Sequence, residues 1–219
     1  MLIDIGSTTL QQLVRAGIPY LEIDAIFITH THPDHVSGLL PFMHALIATP
    51  GSTRTKELSI FGPPGIQTFY DRCIGTIMKS PTTFALTITE MGDHLQLGPL
   101  LVESTPTVHT ETSIAFRFIE NNRSVVFTGD SDYDPSLVSF SQGVDLLVID
   151  CSFPNTMKKN GHLIPKECGL VAREARVKEV LLTHIHPTDG PDTIRVDECR
   201  AVFSGEVMLA QDLMELDIE

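Results

Sequence analysis

Positive charge is scarce in this chain: 15 Lys and Arg stand against 28 Asp and Glu in 219 residues, a formal net charge of -13 at pH 7. Long polyanions are held by clustered Lys and Arg that displace counterions, so this balance argues against nucleic acid beyond short oligonucleotides. Long apolar runs are missing as well. With no stretch of 18 apolar residues and no charged-then-apolar leader, neither a membrane span nor an export signal is expected. Cysteines number only four, Cys73, Cys151, Cys168 and Cys199, and no CxxC pair occurs among them. That spacing indicates neither a zinc knuckle nor a redox motif, and it suits a reducing cytoplasm. The remaining composition, 42% apolar and 20% charged, is that of a folded globular protein. The length suits one substantial core or two small ones, and nothing marks a linker between halves, so a single domain over residues 1–219 is expected.

The chain is organised around Thr29-His30-Thr31-His32-Pro33-Asp34-His35, which reads His-x-His-x-Asp-His. Four potential ligands fall within six positions. They follow the β-branched and aromatic run Ala25-Ile26-Phe27-Ile28, a buried strand by its composition, and begin where that strand should emerge into a loop. His30 and His32, two apart, project to one side. Pro33 ends ladder pairing, and Asp34 and His35 turn back as a second group beside the first. Imidazole and carboxylate are ordinary ligands of zinc and similar ions, and this grouping suits two metals.

Other segments repeat a strand, turn and helix idiom. Residues 1–5 read as a strand, 8–16 as a helix capped by Ser7 or Thr8, and 35–48 as a helix with His44 as a packing or surface residue. Residues 58–61 and 66–79 predict a strand and a helix around Gly62-Pro63-Pro64-Gly65. From 84 to 118 the pattern alternates as strands, with His94 in a surface turn, and Glu120-Asn121-Asn122-Arg123 reads as a hairpin turn. Strands at 125–128, 145–149 and 179–183 each run into chemistry: Asp130, Asp150 and His184. A helix over 165–176 begins with Pro165. This order predicts two sheets packed face to face with helices outside, the strand-end residues meeting in a shared cleft.

With His109 after the strand at 100–108, Asp130 in Thr128-Gly129-Asp130 and His184 in Leu182-Thr183-His184, the order of ligand-type residues resembles the metallo-β-lactamase superfamily over the whole chain. The resemblance implies an α/β fold, a four-layer αββα sandwich, here amino-terminally shortened. It implies that His30, His32 and His109 hold one metal, that Asp34, His35 and His184 hold the other, and that Asp130 bridges them. Two divalent ions, zinc first and manganese or iron as alternatives, would push a bridging water towards a nucleophilic hydroxide. Asp34 would also orient that water.

Within the superfamily the chain looks most like the ribonuclease Z and small phosphodiesterase branch. Ile3-Asp4-Ile5-Gly6-Ser7 with Gln11-Gln12-Leu13 resembles its opening, and Gly161-His162-Leu163 resembles its proton-donor segment, which makes His162 the general acid. Three departures stand out. The Gly- and Pro-rich arm that grips tRNA is absent between His109 and Asp130. Asp150-Cys151-Ser152-Phe153 replaces the branch's His-Glu-Ala-Thr, so that Asp150 becomes the candidate to orient His162. Two or more strands that precede the first strand in relatives are not in this sequence, and an open edge there predicts a homodimer. Asp132 reads as a turn residue beside the Asp134-Pro135 cap. The expected activity is a metal-dependent phosphodiesterase on a small or cyclic phosphodiester. Alternatives are hydrolysis of a sulfate, lactone or thioester, ribonuclease Z-like RNA processing, or a non-catalytic relative.

Overall fold

Every strand of the first sheet runs parallel to its neighbours, and parallel strands need crossovers, which here are helical. A computed structural model describes residues 1–51, 54–189 and 191–218, and the chain groups into two units, Met1–Met91 and Gly92–Glu219. In the first unit β1 (Leu2–Ile3), α1 (Thr9–Arg15), β2 (Ala25–Phe27), α2 (Pro33–Val36), α3 (Leu39–Ala48), β3 (Leu58–Gly62), α4 (Ile66–Cys73) and β4 (Leu86–Glu90) follow in order. The sheet order is β1-β2-β3-β4, so β1 is an edge strand. Ile26, Ile28 and Ile60 of the sheet pack with Leu39, Phe42, Met43, Leu46 and Ile66 of α3 and α4. Burying one such side chain fully contributes about 1.5–3 kcal/mol.

The helix expected over residues 35–48 is two helices. Gly38 lies between them because its backbone is pressed against the end of β1: its N–H donates to Ile5 O at 2.9 Å, and a Cβ there would sit 2.1 Å from Gly6 O. That contact breaks the helix, and α2 is a single turn that starts at Pro33, two residues before the expected start, so Asp34 is helical along with His35. The helix expected over 66–79 likewise stops at Cys73, where the Ile74 and Gly75 N–H groups both close on Tyr70 O.

In the second unit the elements are β5 (His94–Leu97), β6 (Leu100–Pro106), β7 (Ile114–Glu120), β8 (Arg123–Phe127), α5 (Pro135–Phe140), β9 (Leu146–Asp150), α6 (Pro165–Ala175), β10 (Glu179–Thr183), α7 (Thr193–Arg200) and β11 (Glu206–Leu209). His94 begins β5, opposite Glu103, rather than lying in a turn, though it is exposed as expected. The seven-stranded order is β11-β10-β9-β8-β7-β6-β5. Strands β8 to β11 pair in parallel, β6 pairs antiparallel with β7, and β7 pairs antiparallel with β8 through the Asn121–Asn122 turn, whose φ values are +49° and +61°. Both β6 and β8 oppose β7, so β6 points the same way as the parallel set. Residues following β6, β8, β9 and β10 therefore emerge at one end of the sheet, the carboxyl end where parallel sheets place their sites.

Beneath that end, Leu147, Ile149, Val180 and Leu182 pack against Val171, Ala172 and Ala175 of α6. Helix α7 and strand β11 were not legible beforehand. Among the described residues no helix is long and apolar enough to cross a membrane. The mixed α/β architecture with two sheets is the one expected from the motif order.

Candidate metal centre

In the first unit the histidines are held by a residue that the motif does not include. Asp4 follows β1 and has φ +54°, a left-handed backbone that a non-glycine residue adopts only when its surroundings impose it. Its carboxylate accepts from Thr29 N–H and Thr29 Oγ1–H, both at 2.8 Å, and from His35 Nδ1 at 2.7 Å. A carboxylate can only accept, so His35 carries its proton on Nδ1 and its lone pair on Nε2. Thr29 Oγ1, having given its proton to Asp4, accepts at 3.1 Å from His30 Nδ1, which sets the His30 lone pair on Nε2 as well. That atom lies 3.0 Å from His32 Nδ1, a separation that needs a proton or a cation between the two nitrogens. His35 Nε2 lies 3.5 Å from Asp34 Oδ2. His30 and His35 are buried, whereas Asp34 is exposed.

The second unit repeats this logic. His109, after β6, donates Nδ1–H to Gly161 O at 2.9 Å, which puts its lone pair on Nε2. Gly161 must be glycine there: its φ is +83°, and a Cβ would meet His109 Nδ1 at 3.0 Å. His184, just past β10 and left-handed at φ +59°, places Nδ1 at 2.8 Å from Ser152 Oγ. Asp130, 3% exposed, stands between them, with Oδ2 at 3.5 Å from His109 Nε2 and Oδ1 at 3.4 Å from His184 Nε2. Two ligands of a tetrahedral zinc, each about 2.0–2.1 Å from it, are about 3.3–3.4 Å apart. Each Asp130 oxygen thus stands near ligand-pair distance from a different imidazole. Asp34 and His35 are separated in the same way. Imidazole lone pairs turned to the site, second hydrogen bonds behind them and a buried carboxylate form a donor set that fits divalent metal.

His162 is held differently. Its Nδ1 donates to Asp150 Oδ2 at 2.9 Å, its ring lies 5.6 Å from the His184 ring at an interplanar angle of 11°, and its Nδ1 is 3.9 Å from Asp130 Oδ2. Asp130, Asp150, His162 and His184 place ligand-type atoms within 4.8 Å of one another. Asp150, however, is fully buried and its carboxylate is occupied by Ser131 N–H, Ser152 N–H, Ser152 Oγ–H and His162. It therefore acts as an orienting group, the part for which it was a candidate. Ser152, which links Asp150 to both His162 and His184, was not singled out for this. A short polar residue after a strand-ending carboxylate is too common a signal.

Asp132 is more than a turn residue. It accepts from Gly161 N–H at 3.0 Å and from Lys158 Nζ at 2.6 Å, and Lys158 also reaches His162 O and Glu167. Burial alone would push the Asp132 carboxyl up, but these donors outweigh it and hold it below the usual range. Lys158 is raised for the complementary reason, its burial offset by Asp132 and Glu167. The clamp seats the 158–162 segment whose Gly161 carbonyl orients His109. The dyad Asp134-Pro135 caps α5 as read, the Asp134 side chain accepting from Ser136 N–H at 2.7 Å.

The sequence of this chain matches the family described as "Beta-lactamase superfamily domain" over residues 1–185, and the chain belongs to that family. It is 31% identical to YhfI of Bacillus subtilis, named as a probable metallo-hydrolase, over 96% of this chain and 85% of that protein. The crystal structure of YhfI, a metallo-β-lactamase fold protein, superposes with a TM-score of 0.83 over 96% of this chain and 84% of its own. A ribonuclease Z of Archaeoglobus fulgidus is 24% identical over all of this chain and 88% of its own length. The short form of human tRNase Z shares the fold, with a TM-score of 0.77 and 22% identity over 99% and 87% of the two chains. The chain is thus a metallo-hydrolase by family, with a His/Asp cluster able to bind metal.

Proposed function

We propose that the protein is a dinuclear metal-dependent phosphodiesterase acting on small or cyclic phosphodiesters, with both units forming one hydrolase domain. His30, His32 and His109 would hold one ion, Asp34, His35 and His184 the other, and Asp130 would serve both. The observation that carries this reading is the split contact of Asp130, one oxygen towards His109 and the other towards His184. Zinc suits the imidazole-rich set; two such ions would supply Lewis acidity and a water deprotonated near neutral pH.

What the chain itself does follows from its hydrogen bonds. Asp4, Thr29, Gly161 and Ser152 hold the histidines in the tautomers that turn lone pairs to the site. Asp34 orients the attacking water. His162, steadied by its hydrogen bond to Asp150, gives its proton to the departing oxygen as the P–O bond breaks, a part that suits imidazole near neutral pH. A phosphodiester is favoured over other esters because ribonuclease Z, by name a nuclease, is similar to the whole chain. A small substrate is favoured because residues 114–127 are two strands and a tight turn with no arm, and because the net charge is -13.

The experiment is elemental analysis of the purified protein, followed by a screen of aryl and cyclic phosphodiesters, sulfate esters, lactones, thioesters and precursor tRNA at low salt. About two metal equivalents with phosphodiester turnover well above all others is expected. Thioester-only turnover, or efficient site-specific tRNA cleavage, would overturn the reading. A homodimer through the β1 edge is proposed with it, and a monomer in light scattering would refute that part.

A further inference from the structure

Beside the candidate general acid the second unit carries a groove of about 730 Å³ with no assigned role. Its walls come from the segment after β9 and from the start of α7 with the loop before it: Pro154, Met157, Pro187 and Ile194 are apolar, and Asp189 and Glu198 are acidic. Among the described residues no Lys or Arg lines it. Two cations of the neighbouring segments are engaged elsewhere, Lys158 with Asp132 and Glu167, and the buried Arg195 with Asp192 and Thr188. Met157 and Ile194, 44% and 46% exposed, present apolar side chains to the groove.

The groove is built and it adjoins the chemistry. Arg195 Nη2 donates to His186 O at 3.0 Å and to Thr188 Oγ1 at 3.1 Å, which fixes the loop that leads out of His184. The Asn155 N–H reaches Glu198 at 3.4 Å, which ties one wall to the other. Phe153 stacks on His186 with ring centroids 4.9 Å apart and meets the His162 ring at 5.7 Å. Pro154 and Pro187, the next residues along each strand of chain, are already in the groove wall. Phe153 and His186, next in sequence to the wall residues Pro154 and Pro187, thus link the groove to His162.

We infer that this groove is the subsite for the departing alcohol, and that it takes an apolar group bearing a positive charge in preference to a neutral or anionic one. The inference rests on the phosphodiesterase reading for the word "departing", not for the binding itself. Apolar contact with Met157, Ile194 and the two prolines supplies affinity, and the two carboxylates supply the sign of charge. In the reaction water oxygen bonds to phosphorus, the P–O bond to the alcohol breaks with its electron pair to the alcohol oxygen, and His162 supplies the proton.

Two measurements test it. The first is titration of 4-(trimethylammonio)phenol, 4-tert-butylphenol and phenol-4-sulfonate into the purified protein with its bound metal, read from the amide shifts of Thr156, Thr188 and Ile194. The cation should bind about five- to tenfold more tightly than its neutral isostere, as expected for two partly exposed carboxylates, and the sulfonate most weakly. The Glu198→Gln/Asp189→Asn double variant should bring cation and isostere within about twofold. The second is the ratio of kcat/KM for methyl phosphodiesters of the first two phenols, which should fall by the same factor in that variant. Amide shifts elsewhere, or equal affinity for cation and sulfonate, would overturn the inference. Carboxylate-dependent binding in the groove without phosphodiester turnover would uphold the subsite and refute the phosphodiesterase reading alone.

Discussion

Replacing Asp4 by Asn should cost metal before it costs the fold. The carboxylate accepts three hydrogen bonds, from Thr29 N–H, Thr29 Oγ1–H and His35 Nδ1–H, at 2.7–2.8 Å. An amide of the same shape keeps one accepting oxygen and turns two N–H donors towards groups that are themselves donors. If the oxygen stays with Thr29 N–H, the amide nitrogen faces Thr29 Oγ1 and His35 Nδ1. His35 then moves its proton to Nε2 and loses the lone pair on the site side, and Thr29 no longer holds the tautomer of His30. One change behind a metal-ligating histidine usually lowers metal affinity about 10–100-fold. Because Asp4 sets two histidines, about 100-fold is expected, equivalent to about 2.7 kcal/mol. Loss of charge-assisted hydrogen bonds should lower stability by about 1.5–3 kcal/mol, so the variant remains folded. Zinc affinity can be read by competition with a chelator, and the His35 tautomer by ¹⁵N spectra of the imidazole. Wild-type affinity within about twofold, with the proton still on His35 Nδ1, would refute the assignment of Asp4.

His162→Ala should retain the full metal complement and slow turnover by about 10²–10⁴ for alkyl leaving groups, with far less loss for a nitrophenolate; equal loss on both substrates would make His162 a structural residue. Asp132→Asn should destabilise the protein by about 1–3 kcal/mol at neutral pH. The Asp132 carboxyl is held below its ordinary value in the folded protein, so its contribution is present above about pH 4 and vanishes on acidification through the folded value. Denaturant melts of wild type and variant should therefore converge in acid, and a gap that widens there would contradict the clamp. Gly38→Ala should lower stability by about 2–4 kcal/mol, since its Cβ would meet Gly6 O at 2.1 Å, and an unchanged melting midpoint would show that α2 is not pressed against β1 as described.

The ligand order could be read along the chain because each group of ligand-type residues follows an apolar strand, His30 to His35 after one strand and His109, Asp130 and His184 each after another. Parallel strands emerge at one sheet end, and β-branched runs such as Val125-Val126-Phe127 and Leu146-Leu147-Val148-Ile149 identify those strands locally. The break of α2 from α3 was not legible, since it depends on a carbonyl contributed from residue 6. For the same reason the roles of Asp4 and Ser152 were not legible, and Asp132 read as a turn residue. Their roles are hydrogen bonds to residues 31, 32 and 29 positions away in the chain, and nothing local distinguishes such a carboxylate or hydroxyl from a turn residue. Residue type and order determined by themselves what the centre could bind. Only tertiary structure decided which lone pair of each imidazole faces the site, because a tautomer is set by whatever group packs behind the ring.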